Sequence, residues 1–444
     1  MKDPRLLFWI LALSVAAPAC ARDDWRDKAF DGRKSSDAPP QAAAAPSVGE
    51  SAGQDDRVWV VVHAAGRADR QRAADLGLSI EEVSAGSVGG VATQRALAKL
   101  QEAGLRVERR LALGFPQEDD AFHDFKETGA LLSSIASAHP EFASLVEVGK
   151  SYRGLPMTAL RFNTSARGAE PSSKPGALFM GTHHAREHLS TEVPLLAAKW
   201  LAENSARPEV RKLLETRDIY FAPLMNPDGA EFDIDGGQYR WQRKNLRPNA
   251  DGTIGTDLNR NYGFHWGESG SSTYPGDDTY RGPRPFSEPE TQAVKSFIEA
   301  RPNLKTMVSY HSYSELVLYP WSYTEEPLPD SKALNAFKAM AQKMAGWTGY
   351  TAEASADLYA SSGDTCDWAW AERKIFCFTF ELTPKGSSGG GFYPGSKAIE
   401  PTVQKNLSSV LYLADLADDP YRASLDSAPS ARGPAGESST PPAR

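Results

Sequence analysis

The chain is short of three things, and each shortage narrows what it does. Its 444 residues include three cysteines, Cys20, Cys366 and Cys377, so the fold rests on a buried core rather than on a disulfide framework. Basic charge is scarce as well: 49 lysines and arginines against 57 acidic residues give a net charge of −8, with no basic footprint for nucleic acid. Long apolar runs are missing too, since the stretch from Leu6 to Ala17 is too short to span a bilayer. With eight histidines in the whole chain, any metal centre must draw on few candidates.

What is present is enough apolar residue, 41% of the chain, to bury a sizeable core. Lys2 and Arg5, the apolar stretch and Ala17-Pro18-Ala19-Cys20 read as a secretory signal over residues 1–19, which places the mature protein outside the cytoplasm. Residues 20–56, rich in Ala, Pro, Ser, Asp and Gly, have little to bury and read as a flexible tether. From Arg57 the texture changes. Val58–Val62 reads as a strand, Ala68–Ala74 as a helix, Val88–Val91 as a strand, Gln94–Ala103 as an amphipathic helix closed by Gly104, and Val107–Leu113 as a last strand. Residues 57–113 are thus a small N-terminal α/β domain. Residues 114–419 alternate strands and helices, which predicts an α/β fold with a mixed central β-sheet flanked by helices. Residues 420–444 lose their large apolar side chains and read as a disordered tail.

The chemistry gathers at Gly181-Thr182-His183-His184-Ala185-Arg186-Glu187-His188, just after the apolar run Ala177–Met180. His184 and Glu187, three residues apart, fall on one side of a turn or short helix and offer zinc a nitrogen and an oxygen. The best candidate for a third ligand is His311, closing the strand-like run Met307–Tyr310, with His183 and His188 as rivals. Ile219–Ala222 and Lys374–Leu382 read as further strands that end near reactive residues, where open α/β sheets place their ligands. Ser287-x-x-Glu290 reads as a capping box for a helix whose apolar face is Val294, Phe297 and Ile298.

His184-x-x-Glu187, then Arg243-Lys244, Asp257-x-Asn259-Arg260-Asn261, His311-Ser312-Tyr313, Tyr359 and Phe380-Glu381-Leu382, in that order, resemble the zinc metallocarboxypeptidases of the carboxypeptidase A and B type over about residues 115–418. The resemblance implies one zinc ion per chain, held by His184, Glu187 and His311, which lowers the pKa of a water and polarises the scissile carbonyl. It implies Glu381 as general base and Arg243 as the charge facing the oxyanion; Arg240 is a rival, because Trp241-Gln242-Arg243 has one residue more than the usual spacing. It further implies that Asn259, Arg260 and Tyr359 grip the substrate's terminal carboxylate, that Arg186 touches one residue further out, and that Asp257 orients the first zinc histidine. The implied substrate is a peptide or protein C-terminus. Where the family reads the terminal side chain stands Cys366, neither large and apolar nor charged. Asp364 two residues earlier lends negative character, as in broad-specificity bacterial carboxypeptidases, and the expectation is a mixed preference. The small N-terminal domain stands where many family members carry a pro-segment; an inhibitory or folding role and a plain accessory role are both open. Cys20 resembles the lipid-bearing cysteine of bacterial lipoproteins, which predicts an envelope-anchored protein, with a freely secreted one as the alternative. A monomer is expected. Cys366 and Cys377 are expected to be two buried thiols, with a disulfide as the alternative. Two rival functions remain: a zinc amidohydrolase acting on cell-wall peptides, and a silent, lipid-anchored binding module.

Overall fold

The computed structural model describes residues 57–111, 122–234 and 239–426. The expected signal, lipid-bearing Cys20 and tether lie outside the described residues, as does the tail after 426.

The first unit is a four-stranded antiparallel sheet in the order β2-β3-β1-β4, formed by β1 (Arg57–His63), β2 (Ser79–Val83), β3 (Ser87–Thr93) and β4 (Val107–Leu111). Helices α1 (Arg67–Asp75) and α2 (Gln94–Glu102) complete it, the second capped by the Thr93 side chain on Ala96 N. Val60, Val62, Leu78, Val88, Leu97 and Leu100 form its core. Sequence reading found every element of this unit except β2. That edge strand turns out to carry a residue of the site.

The second unit is built on eight strands in the order β11-β10-β12-β9-β7-β8-β6-β5. In chain order these are α3 (Phe125–Ala138), β5 (Ala143–Lys150), β6 (Pro156–Phe162), β7 (Gly176–Met180), α4 (Leu189–Glu203), α5 (Pro208–Thr216), β8 (Asp218–Ala222), α6 (Pro227–Ile234), α7 (Pro289–Glu299), β9 (Leu304–Ser312), β10 (Leu316–Tyr319), α8 (Ser331–Thr348), β11 (Thr351–Ala354), α9 (Thr365–Arg373), β12 (Phe376–Leu382) and α10 (Ile399–Leu416). The four central strands, β12, β9, β7 and β8, are mutually parallel, and the outer pairings are mostly antiparallel. All residues of β7 and β8 are buried, as strands covered on both faces require. Parallel strands bring their C-terminal ends to one edge of the sheet, and that edge is where the chemistry lies. The mixed sheet flanked by helices is the architecture expected from the sequence.

Three local expectations change. Helix α7 is capped at Glu288 with Pro289 as its first residue, and Ser287 instead bonds Glu288 Oε1 at 2.6 Å, so no capping box forms there. The reading of two free thiols is overturned: Cys366 and Cys377 form a disulfide with their Cα atoms 5.0 Å apart. Helix α9 stops at Lys374, whose φ of 54° is left-handed, and the chain turns back into β12, which returns Cys377 to the start of the helix. Ordered packing also continues past 419. The Tyr421 ring meets Phe376 at 5.2 Å, and Arg422 reaches Asp415 at 2.6 Å. Among the described residues no helix is long and apolar enough to cross a membrane.

Candidate active site

The turn after β7 and the end of β9 meet at the sheet edge. His184 Nδ1 lies 2.7 Å from Glu187 Oε1, His311 Nδ1 lies 3.0 Å from Glu187 Oε2, and the two Nδ1 atoms are 3.1 Å apart. Among the described residues these three form the one group of histidine, cysteine and acidic side chains placed to hold a metal. Their distal nitrogens are taken: His184 Nε2 faces Asp257 Oδ1 at 3.1 Å, and His311 Nε2 faces Ser309 Oγ at 3.1 Å. Two imidazole nitrogens and a carboxylate converging on one point, each ring backed by an oxygen partner, suit a catalytic zinc. His183 and His188 turn elsewhere, to Tyr262 at 2.9 Å and to Asp233 at 2.8 Å.

Around this cluster is a cavity of about 400 Å³ lined by His184, Glu187, Arg243, Asn259, Arg260, His311, Tyr359, Asp364 and Glu381, among others. Glu381 lies beside His311 in the pairing of β12 with β9, so strand register alone brings it to the ligands. Burial opposes its ionisation, and the Glu187 and Glu81 carboxylates add to this, so the Glu381 carboxyl sits well above the usual glutamate range. Burial also opposes ionisation of Glu187, but the His184 and His311 rings outweigh it and hold that carboxyl far below the usual range. At Asp257 burial is outweighed by Arg243 and then His184, with the same downward result.

Arg243 donates from Nε to Asp257 Oδ2 at 2.9 Å, leaving Nη1 3.9 Å from Glu187 Oε1. Arg260 is held through Nε on the Gly270 carbonyl at 3.0 Å and donates from Nη2 to Tyr359 OH at 3.3 Å. Asp364 caps α9 through Cys366 N and Asp367 N, while its Oδ2 has no partner. Cys366 does not line the cavity; it is buried in the core beneath, and Thr379 of β12 faces the space together with Asp364. Arg240 points to the Phe232 carbonyl, away from the cluster.

Two residues of the site escaped sequence reading, Thr379 on β12 and one from the other unit. Glu81, on edge strand β2, places Oε1 2.6 Å from Arg186 Nη2 and 3.7 Å from Arg243 Nη1. Arg186 is fully buried and also pairs with Asp278 at 2.8 Å. Ile80-Glu81-Glu82-Val83 does not alternate apolar with polar residues, and its pairing shifts register between Ile80 and Glu82, so no period of two marked the strand and nothing local marks Glu81 as reaching a site in the other unit.

The chain is similar to known proteins along much of its length. A family model described as zinc carboxypeptidase matches residues 128–409. A zinc carboxypeptidase of Saccharothrix mutabilis subsp. capreolus is 33% identical over 378 residues, which cover 79% of this chain and 86% of that protein. Carboxypeptidase B of Astacus astacus is 33% identical over 310 residues, covering 68% of this chain and 98% of its own. The structure of bovine thrombin-activatable fibrinolysis inhibitor in complex with tick carboxypeptidase inhibitor matches with a TM-score of 0.58 at 27% identity, over 67% of this chain and 97% of that one. Carboxypeptidase A from Helicoverpa armigera shares the fold, with a TM-score of 0.66 at 22% identity over 84% of this chain and 99% of that one. A family match over most of the chain, spanning a cavity lined by a histidine, glutamate and histidine cluster, means that the chain belongs to the zinc carboxypeptidase family of hydrolases.

Proposed function

We propose that the protein is a zinc-dependent exopeptidase that removes single amino acids from the C-termini of peptides, and that its N-terminal unit holds it inactive. The observation that carries this reading is the meeting, in one cavity, of the His184–Glu187–His311 cluster, Glu381, and the carboxylate-seeking set Asn259, Arg260 and Tyr359. His184, Glu187 and His311 would hold the zinc, which when bound would supply Lewis acidity toward a water and the scissile carbonyl. Glu381 takes the proton of the attacking water and passes it to the leaving nitrogen. Arg243, fixed by Asp257, presents its remaining N–H groups to the developing oxyanion. The Arg260 guanidinium grips the terminal carboxylate in two-point fashion, Asn259 adds an amide N–H, and Tyr359 closes over both. Arg186 meets the substrate one residue further out.

The unpartnered Asp364 Oδ2, beside Thr379 and Ser322, supports a pocket that takes both apolar and basic terminal side chains. Hydrolysis of substrates ending in Phe, Leu, Lys and Arg checks this; a preference above about a hundredfold for one class refutes it.

Three contacts support an inhibitory role for residues 57–111. Glu81 neutralises Arg186. Arg70 bonds the Leu358 carbonyl at 2.7 Å, and Gln71 bonds both the N–H and the carbonyl of Ala360, so α1 brackets Tyr359 on both sides. Residues 1–19 as a signal, a lipid on Cys20 and the following tether complete the proposal of a monomeric, extracytoplasmic protein anchored to the cell envelope.

The deciding experiment follows release of free amino acid from a blocked dipeptide and from its C-terminally amidated twin, with and without a zinc chelator, before and after removal of the N-terminal unit. Chelator-sensitive cleavage of the free acid alone, increased by the removal, is the expected result. Cleavage of both substrates points to an amidohydrolase, and cleavage of neither in any form points to a binding module.

A further inference from the structure

Behind the ligand cluster lies a set of buried polar side chains that the steps above leave unused. His183, Ser309 and Thr365 have at most 1% of their surface exposed, and the His183 ring stacks on that of His311 with centroids 5.8 Å apart. Their hydrogen bonds can be read with direction, starting from the two ends whose sense is fixed.

At one end, His311 turns Nδ1 to the metal cluster, so Nε2 carries the ring proton and donates to Ser309 Oγ at 3.1 Å. The Ser309 hydroxyl then has its own proton for His183 Nδ1 at 3.3 Å. That makes His183 Nε2 the N–H of its ring, with Thr365 Oγ1 at 3.2 Å and Tyr262 OH at 2.9 Å to receive it. At the other end, the backbone N–H of Thr365 is a donor in any protonation state. It lies 3.0 Å from Asn259 Oδ1, which fixes the carboxamide with its oxygen toward Thr365. The Thr365 hydroxyl donates to that same oxygen at 2.9 Å. Asn259 Nδ2 ends 3.5 Å from His311 Nε2; both are donors, so this approach is not a bond and the amide N–H stays free. Readings from the two ends meet in one sense without conflict.

We infer that Ser309, His183 and Thr365 are positioning residues: a one-way hydrogen-bond chain that sets the zinc ligand His311 and the carboxylate-gripping amide of Asn259 together, so that metal retention and substrate grip are coupled. The chain rests on the reading of this site as a zinc centre. A ligand whose outer nitrogen lacks its partner loses a restraint on its orientation, and a buried hydroxyl that loses its acceptor is left unsatisfied at a cost in free energy.

The test uses the full chain and three variants: Ser309→Ala at the metal end, Thr365→Val at the amide end, and Thr365→Ser, which restores the hydroxyl. Zinc affinity is measured by competition with a chromogenic chelator, and the melting temperature of the zinc-free protein controls for folding. Ser309→Ala is expected to weaken zinc binding about 10- to 100-fold, as losing a ligand's outer partner typically does. Thr365→Val, which touches no ligand, is expected to weaken it about tenfold with little change in zinc-free melting, and Thr365→Ser to stay within about twofold of the parent. In the form that cleaves the blocked dipeptide, both Ser309→Ala and Thr365→Val raise KM. Zinc affinity of Thr365→Val within about twofold of the parent, or equal damage from Thr365→Ser and Thr365→Val, overturns the coupling. A parent protein that binds no zinc instead overturns the metal reading beneath it, and the two failures are therefore told apart.

Discussion

Replacing Glu81 by Gln in the intact chain asks how firmly the N-terminal unit is held over the site. Glu81 Oε1 is 2.6 Å from Arg186 Nη2, with the arginine side chain fully buried and the glutamate 6% exposed, so solvent screens the contact little. Hydrogen bonds to charged groups contribute about 1.5–3 kcal/mol. Asp278 keeps its own hold on Arg186 at 2.8 Å, and the Gln carbonyl still accepts, so the lower part of that range applies. A loss of about 2 kcal/mol shifts the balance between docked and released states roughly 30-fold toward release. The uncleaved Glu81→Gln protein is therefore expected to hydrolyse a blocked dipeptide up to about 30-fold faster than the uncleaved parent, with a gel confirming that neither has been cut. Glu82→Gln is the control, since Glu82 meets Ser387 at the exposed rim. Equal rates for Glu81→Gln and the parent, or an equal rise in Glu82→Gln, refute the argument.

Three further outcomes are expected. Glu381→Gln should abolish hydrolysis while zinc, assayed by metal analysis of the purified protein, is retained at the parent level, because Glu381 lines the cavity without belonging to the ligand cluster. Replacing Cys366 and Cys377 together by alanine should lower stability by about 3 kcal/mol on the loop-closure argument for a cross-link spanning 11 residues, read from denaturant midpoints; an unchanged midpoint counts against it. Burial, partly offset by Asp278, pushes buried Lys244 down to about 8 from 10.5, so between those values the unfolded chain binds more protons than the folded one and stability rises with pH. In Lys244→Met that component disappears, and a difference in melting temperature between the two proteins that stays constant from pH 8 to 10.5 speaks against the burial of a charged lysine.

Much of this site was legible in the chain because its parts are local. A short apolar run followed by ligand-type residues marks a buried strand and what it delivers, and this held at β7 with His184 and Glu187, at β9 with His311, and at β12 with Glu381. The order of the strands along the sheet was not legible, yet the three parallel neighbours β12, β9 and β7 are what bring those three ends together.

Side chains whose meaning depends on a distant partner stayed hidden. Glu81 looks like any exposed strand residue until β2 lies over Arg186, a contact across 105 positions. His183 and His184 are adjacent and chemically identical; the bend that follows β7 sends one to the metal cluster and the other back into the hydrogen-bond chain beneath it. Cys366 and Cys377 carry no sign of pairing, because the left-handed turn at Lys374 that reunites them depends on where α9 ends. The sequence by itself determined the residue types, their order and the strands that carry them. Tertiary structure decided which of them face one another, since distance, burial and direction arise only when separate segments pack.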